Sequence, residues 1–242
     1  MSTEFNDQQL RQIYPEGIRY HYWTRARLWH IEDALKGARD KVILEVGCGA
    51  GVAARALRGS GYELYGCDLC AGEVTEGERA FLFYETDFKD LPAELLARVE
   101  VVILLDVLEH IEEPVPFLER IQAALPQLSE VLVTLPARAE LWSNFDEFNG
   151  HFLRYDLKSL SLLDAPGLEL SRSSYLFQLL YLPAWLTVKL LGGRGETITP
   201  PRGALKLVHG LIARVLYLSS RALSYLPMIP GTSVIASYRV SQ

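Results

Sequence analysis

Three glycines spaced by single residues, Gly47, Gly49 and Gly51, close the stretch V-I-L-E-V-G-C-G-A-G that begins at Val42. The pattern predicts a buried strand running into a tight turn at the head of a helix. In such a turn the backbone can approach a small ligand that a Cβ would push away. Four carboxylates, Glu45, Asp68, Asp87 and Asp106, each stand at or near the end of an apolar run. An acid beside a buried strand costs free energy unless something compensates it, so four on one edge point to a shared ligand site. Two histidines can take a proton near that edge: His110, one helical turn after Asp106, and His151, in a later loop.

The elements that must position these groups follow from periodicity and punctuation. Apolar runs at 42–46, 63–67, 80–84, 101–105 and 131–135 read as strands, the fourth a continuous Val/Ile/Leu run suited to a strand buried on both faces. Helices are expected at 52–58, stopped by Gly59-Ser60-Gly61, at 71–79, at 92–98 and from Pro114 to about 125. Five βα units in succession predict an α/β, doubly wound sheet, with ligands at the strand C-termini. Before the first strand, residues 14–35 read as helical and carry Tyr14, Tyr20, Tyr22, Trp23 and Trp29; His21, Tyr22 and Trp23 could line a pocket mouth. After the fifth strand come a helix at 156–163 and strands at 167–175 and 232–240.

The glycine spacing does not match a dinucleotide fingerprint. Val52 stands where the last glycine of G-x-G-x-x-G would fall, and carboxylates along the edge would repel a pyrophosphate. Taken together, Leu44-Glu45-Val46-Gly47-Cys48-Gly49-Ala50-Gly51, Gly66-Cys67-Asp68, Asp87-Phe88 and Leu105-Asp106-Val107-Leu108-Glu109-His110-Ile111 resemble the class I S-adenosylmethionine-dependent methyltransferases. The resemblance implies a seven-stranded Rossmann-like sheet, with the last strand antiparallel between the fifth and sixth, and S-adenosylmethionine as cofactor. It implies that Gly47, Gly49 and Gly51 pass under the methionine part and that Asp68 accepts from the ribose hydroxyls. Asp87 would meet the adenine amino group, with Phe88 donating its backbone N–H to the ring; Asp106 would face the ammonium, and Glu45 would help position that end. Leu69 and Val107 complete the implied cofactor contacts. Carboxylates suit a ligand that carries hydroxyls, an ammonium and a sulfonium.

Beyond the fifth strand, Leu135-Pro136-Ala137, Leu141-Trp142-Ser143, Asp146-Glu147 and Gly150-His151-Phe152-Leu153-Arg154-Tyr155 look like a bacterial branch of these enzymes often linked with glycan or lipid-linked substrates. That branch usually has a second arginine where Leu153 stands, which weakens a paired-arginine anion site. The resemblance makes Tyr22, Trp23, Trp142, Arg154 and Tyr155 candidates for acceptor binding. Methyl transfer to a hydroxyl requires loss of a proton, and His110 and His151 are the candidate catalytic bases. An amine acceptor would need less basic help.

Size and charge bound the rest. The chain has 242 residues, 49% of them hydrophobic, enough for one domain. That domain divides into an N-terminal helical cap (1–40), a cofactor-binding core (41–175), a helical apolar and basic insertion (176–231) and the last strand (232–242). Net charge is −6, which disfavours a nucleic-acid binder. The polar start from Met1 to Asp7 carries no leader pattern, and Cys48, Cys67 and Cys70 are too few for a disulfide framework, so a reducing, cytoplasmic setting is expected. Cys67 and Cys70 form a C-x-x-C without further ligands, and no metal site is expected.

From Leu176 onward seven Lys and Arg face one acid, Glu196. The segment 175–191 is apolar but interrupted by Gln178, Pro183 and Lys189, marginal for a membrane span. A helix at 204–226 sets Lys206, Gly210, Arg214, Tyr217, Arg221 and Ser224 on one stripe and Leu205, Val208, Ile212, Val215 and Ala222 on another. The insertion can be a lid over an apolar acceptor, a peripheral contact with the inner face of a membrane, or a homodimer interface. The functions in competition are methyl transfer to a small-molecule, sugar or lipid-linked acceptor, NAD-dependent chemistry, and a non-catalytic binding protein that retains the cofactor fold.

Overall fold

The structure, a computed structural model, describes residues 12–193, 195 and 197–241. The N-terminal stretch from Met1 to Asp7, the charged residues Arg194 and Glu196, and Gln242 lie outside the described residues. Seven strands make one sheet: β1 (Val42–Val46), β2 (Glu63–Cys67), β3 (Leu82–Phe83), β4 (Val99–Leu105), β5 (Glu130–Pro136), β6 (Leu168–Leu176) and β7 (Ser233–Val240). Their order is β3-β2-β1-β4-β5-β7-β6. The first five run parallel, and β7 lies antiparallel between β5 and β6. This is the doubly wound sheet expected, with the last strand inserted as expected.

Every residue of β1 is buried, including Glu45. That follows from a Val/Ile/Leu run flanked on both sides by β2 and β4 and covered on both faces. On one face, α4 (Pro114–Ala124) packs Phe117, Leu118 and Ile121 against the sheet, with Tyr155 and Tyr238 in the same core. On the other, Ile31 of α1 (Tyr22–Ala34) joins Ala54 and Leu57 of α2 (Val52–Gly59). Two short helices, α3 (Ala93–Leu96) and α5 (Asn144–Phe148), complete the core connections.

Local chemistry shortens several predicted elements. The N-terminal helix does not run through from residue 14: Gly17 sits at φ +86° and His21 is extended, so a short 3-10 turn, Ile18–Tyr20, precedes α1. The helix expected at 71–79 is only a 3-10 turn, Glu76–Ala80, opened by a capping box between Thr75 and Glu78. The helix expected at 156–163 starts late, at Ser159–Leu163, because the Asp156 carboxylate accepts the backbone N–H groups of Lys158 and Ser159.

Between β6 and β7 the chain makes an excursion of two helices, α6 (Gln178–Leu191) and α7 (Leu205–Leu223). It leaves and rejoins the sheet at one place, where Leu176 lies opposite Ser233. Helix α7 packs along α1. Tyr217 donates its hydroxyl to Asp33, and His209 Nδ1 accepts the Tyr22 N–H at 3.2 Å. The stripe that seats α7 is Gly210, Ala213, Leu216 and Ser220, all buried. The apolar stripe of Leu205, Val208, Ile212 and Val215 therefore faces outward and is exposed, together with Leu207, Leu211 and Leu218. No helix among the described residues is long and apolar enough to cross a membrane.

Candidate active site

A cavity of about 570 Å³ opens at the C-terminal edge of β1 and β4. Glu45, Gly47 and Cys48 form part of its floor, Asp106, Glu109, His110 and His151 one wall, and α6 with Gly195, Thr197, Ile198 and Thr199 another. A volume of this size suits a drug-sized ligand. Tyr22, Trp23 and Arg154 line it as well.

The glycine turn is built for close approach. Gly47, Gly49 and Gly51 all have positive φ, +76°, +51° and +66°. A Cβ on Gly47 would lie 2.7 Å from a methyl of Val107, and one on Gly49 would lie 2.8 Å from the Tyr14 ring. Asp68 braces the turn: its carboxylate accepts the N–H of Gly49 at 2.6 Å and of Cys70 at 2.9 Å. A carboxylate has about four acceptor positions, so two remain for ligand hydroxyls. Asp68, Leu69, Asp87 and Phe88 lie outside the cavity walls, along the β2–β3 part of the same edge. Leu69 is exposed there. Asp87 caps its own turn through the Lys89 N–H at 3.2 Å, and the Phe88 ring is buried against Phe117.

Glu45 is buried on the cavity floor with Oε2 lacking a hydrogen-bond partner. Burial pushes its carboxyl up to about 8, with the Asp68 charge adding and Arg27 opposing. Asp106 sits in the left-handed region at φ +58°, a conformation rare for a non-glycine residue and typical of functional positions. It is already paired. Arg27 reaches it at 2.9 Å and donates to Thr134 Oγ1 at 2.8 Å, while the Thr134 hydroxyl donates to Asp106 Oδ1 at 3.1 Å. The Arg27 guanidinium also lies over the Trp23 ring, 4.9 Å from its centroid.

His110 and His151 come together, with ring centroids 4.7 Å apart. Burial first, and then the neighbouring His151, lower His110 to about 4. The His151 Nδ1 lies 2.9 Å from Asp146 Oδ1. Asp146 is fully buried and also accepts from Arg154 through Nε at 2.8 Å and Nη2 at 3.0 Å, and from the Ser143 N–H at 2.9 Å. Burial alone would raise Asp146, but His151 and Arg154 together hold it well below the usual carboxylate range.

Two predicted acceptor residues lie elsewhere. Tyr155 is buried in the sheet core, not in the cavity: its N–H donates to Pro136 O at 2.9 Å and its carbonyl accepts from Arg138 at 2.8 Å, which turns the ring inward. Trp142 is also absent from the cavity walls and precedes Ser143, the cap of α5.

A match to a family described as a methyltransferase domain spans residues 20–170, more than half of the chain. The chain belongs to this methyltransferase family. The ubiquinone biosynthesis O-methyltransferase of Nitrosomonas europaea is 25% identical over 106 residues, covering 41% of this chain and 45% of that one. Its counterpart in Alkalilimnicola ehrlichii is 30% identical over 95 residues, covering 36% and 38%. The chain thus spans less than half the length of these relatives. Among solved structures, coclaurine N-methyltransferase bound to N-methylheliamine and SAH aligns with a TM-score of 0.53 at 13% identity, covering 97% of this chain and 79% of that one. The plantazolicin methyltransferase BamL aligns with a TM-score of 0.51 at 11% identity, covering 97% and 89%. These likenesses show a common fold.

Several groups that shape this methyltransferase's cavity have no role assigned by the motifs. Glu109 is fully buried, lines the cavity, and has no hydrogen-bond partner on either side-chain oxygen. Burial and the Asp106 charge raise its carboxyl well above the ordinary range. Arg27 and Tyr14 come from the N-terminal cap, far from the glycine turn in sequence. Only Asp146 left a local trace, as the third residue after the capping Ser143.

Proposed function

We propose that this chain transfers a methyl group from S-adenosylmethionine to a hydroxyl of a small-molecule or lipid-linked acceptor. The observation that carries this reading is the pairing of the left-handed glycine turn with a buried carboxyl at Glu45 and a half-buried one at Asp106, on the floor and wall of one cavity. A turn without side chains admits a close ligand. Acids beneath it favour one that carries positive charge and hydroxyls. The residues fit that cofactor: Glu45, with its orphaned Oε2, would hold the methionine end, and Asp68 keeps acceptor capacity that would serve the ribose. When bound, the cofactor supplies an electrophilic methyl on a sulfonium. The chain's own part is to hold the acceptor in line and keep water out.

The acceptor end is the cluster of Glu109, His110 and His151, which receives the hydroxyl and handles its proton. Tyr22, Trp23 and α6 make the apolar walls around it, and Arg154 is held by Asp146 behind it. The relatives' name as O-methyltransferases favours oxygen over nitrogen as nucleophile. Calorimetry with S-adenosylmethionine tests the donor assignment. Asp68→Ala removes acceptors for two hydroxyls, and loss of such bonds at about 1.5–3 kcal/mol weakens binding at least about tenfold. Unchanged affinity would refute it. Turnover with phenols and lipid-linked sugars, read as S-adenosylhomocysteine formed, tests the acceptor class.

A second reading concerns place. The outward arc of α7 is apolar over seven residues, and exposed Lys189, Arg202, Arg214 and Arg221 lie on the same excursion. Such a surface suits contact with an anionic membrane, apolar side chains entering the headgroup boundary and basic ones meeting phosphate. That contact would bring a lipid-linked acceptor to the cavity beside α6. Self-association through the same face is the competing occupant.

A further inference from the structure

We propose that Glu109, His110 and His151 form a binding site for a divalent transition-metal ion on the cavity wall. One potential ligand atom from each of the three lies within 4.8 Å of the others. Zinc–ligand distances are about 2.0–2.2 Å, so each atom needs to move inward by less than about an ångström to share one ion. All three line the cavity, so positions on the ion away from the protein would open onto it.

Glu109 is the independent pointer. Its side chain is fully buried and neither oxygen has a hydrogen-bond partner. The guanidiniums nearest to it are committed elsewhere, Arg27 to Asp106 and Arg154 to Asp146. A buried carboxylate in that position is costly unless a cation joins it. The histidines are prepared in a complementary way. The Nδ1 of His151 is held by the buried Asp146, and the ring of His110 has the Asn149 backbone carbonyl as a hydrogen-bond partner. A carboxylate or carbonyl behind the ring is the arrangement that fixes the tautomer of a ligating imidazole and leaves its other nitrogen for the metal. Two imidazoles and one carboxylate select Zn²⁺, Fe²⁺, Co²⁺ or Mn²⁺ over Ca²⁺ and leave open coordination positions.

The role of such an ion rests on the proposed methyl transfer; its existence does not. Ligation leaves neither histidine free to act as a base. An acceptor hydroxyl on an open position would instead have its pKa lowered by the ion, its proton passing to solvent.

The experiment uses the full chain stripped with chelator and titrated with Co²⁺, followed by ligand-field absorption and calorimetry. One saturable equivalent is expected. Glu109→Gln, the neutral isostere, and separately His151→Gln should each weaken it by at least about tenfold, with the folded state checked by circular dichroism. No saturable binding to the wild type, or equal binding by both variants, overturns the site. S-adenosylmethionine affinity measured on the same metal-free sample separates the two proposals. Co²⁺ binding without cofactor binding would sink the donor assignment and leave the metal site standing.

Discussion

Replacing Asp146 with Asn should destabilise the protein by about 3–5 kcal/mol, because it breaks a buried charge pair by removing one partner. The structure sets the magnitude. The Asp146 carboxylate is fully buried and faces an Arg154 side chain that is only 5% exposed, through two N–H contacts at 2.8 and 3.0 Å. Asparagine keeps the shape but leaves that guanidinium without countercharge and puts an amide N–H₂ toward a donor. For a chain of this size about 1 kcal/mol corresponds to 2–4 °C, so the melting temperature should fall by roughly 6–20 °C. Denaturant unfolding at pH 7 gives the free energy directly. The double variant Asp146→Asn, Arg154→Gln should recover part of the loss, since the uncompensated charge is gone. Acid titration adds a sign. A carboxyl held below its ordinary value of 3.8 contributes stability that is present above that pH and is lost as pH falls through its folded value, so the variant should depend less on pH in that range. A loss under about 1 kcal/mol, or no coupling in the double variant, would refute the clamp.

Gly49→Ala forces a Cβ into the left-handed region and to 2.8 Å from the Tyr14 ring, so cofactor affinity should drop at least about tenfold. Gly37→Ala, with nothing within 4 Å of its Cβ, should leave affinity unchanged; equal calorimetric titrations of the two would contradict the assignment. Burial lowers His30 to about 4 from its ordinary 6.5, so stability should be full above pH 6.5 and decline toward pH 4 by up to roughly 3 kcal/mol. His30→Gln should flatten that decline in thermal melts, and an unaltered slope would assign it elsewhere. Vesicles rich in anionic lipid should sediment the protein at low salt and release it at high salt. Leu207→Glu with Leu211→Glu should abolish sedimentation; wild-type protein that ignores vesicles and sediments as a dimer would favour self-association.

The parallel sheet was legible because its signals are local: apolar runs, glycine and proline punctuation, and acids at strand ends. β3 shows the limit of that. It pairs with β2 at only two residues, Leu82 and Phe83, since an edge strand of this kind is set by its neighbour more than by its own sequence. The glycine turn was legible for the same local reason, since Gly47 and Gly49 have no conformational substitute there. The acceptor end was not. Arg27 meets Asp106 across the sheet edge, and the buried Glu109 has its carbonyl bonded by the Phe152 N–H of a loop that leaves no periodic trace. For α7, amphipathicity alone left the seated face open. Periodicity identifies its apolar stripe but cannot say that α1 would accept the small-residue stripe of Gly210 and Ala213 instead.

The return of the chain at Ser233 beside Leu176 has a consequence for how this scaffold can vary. The excursion is a hairpin loop in topological terms, anchored at both ends by one antiparallel pair. Doubling the length of such a loop costs only about 0.6 kcal/mol in closure entropy. Helices α6 and α7 are thus a cassette: provided the face that seats α7 on α1 is kept, they can lengthen, shrink or be exchanged with little effect on β1 through β5 or on the turn at Gly47. One wall of the cavity belongs to that cassette, while the floor belongs to the sheet. Grafting the excursion from a relative is the economical way to change what enters the cavity without rebuilding what lies beneath it.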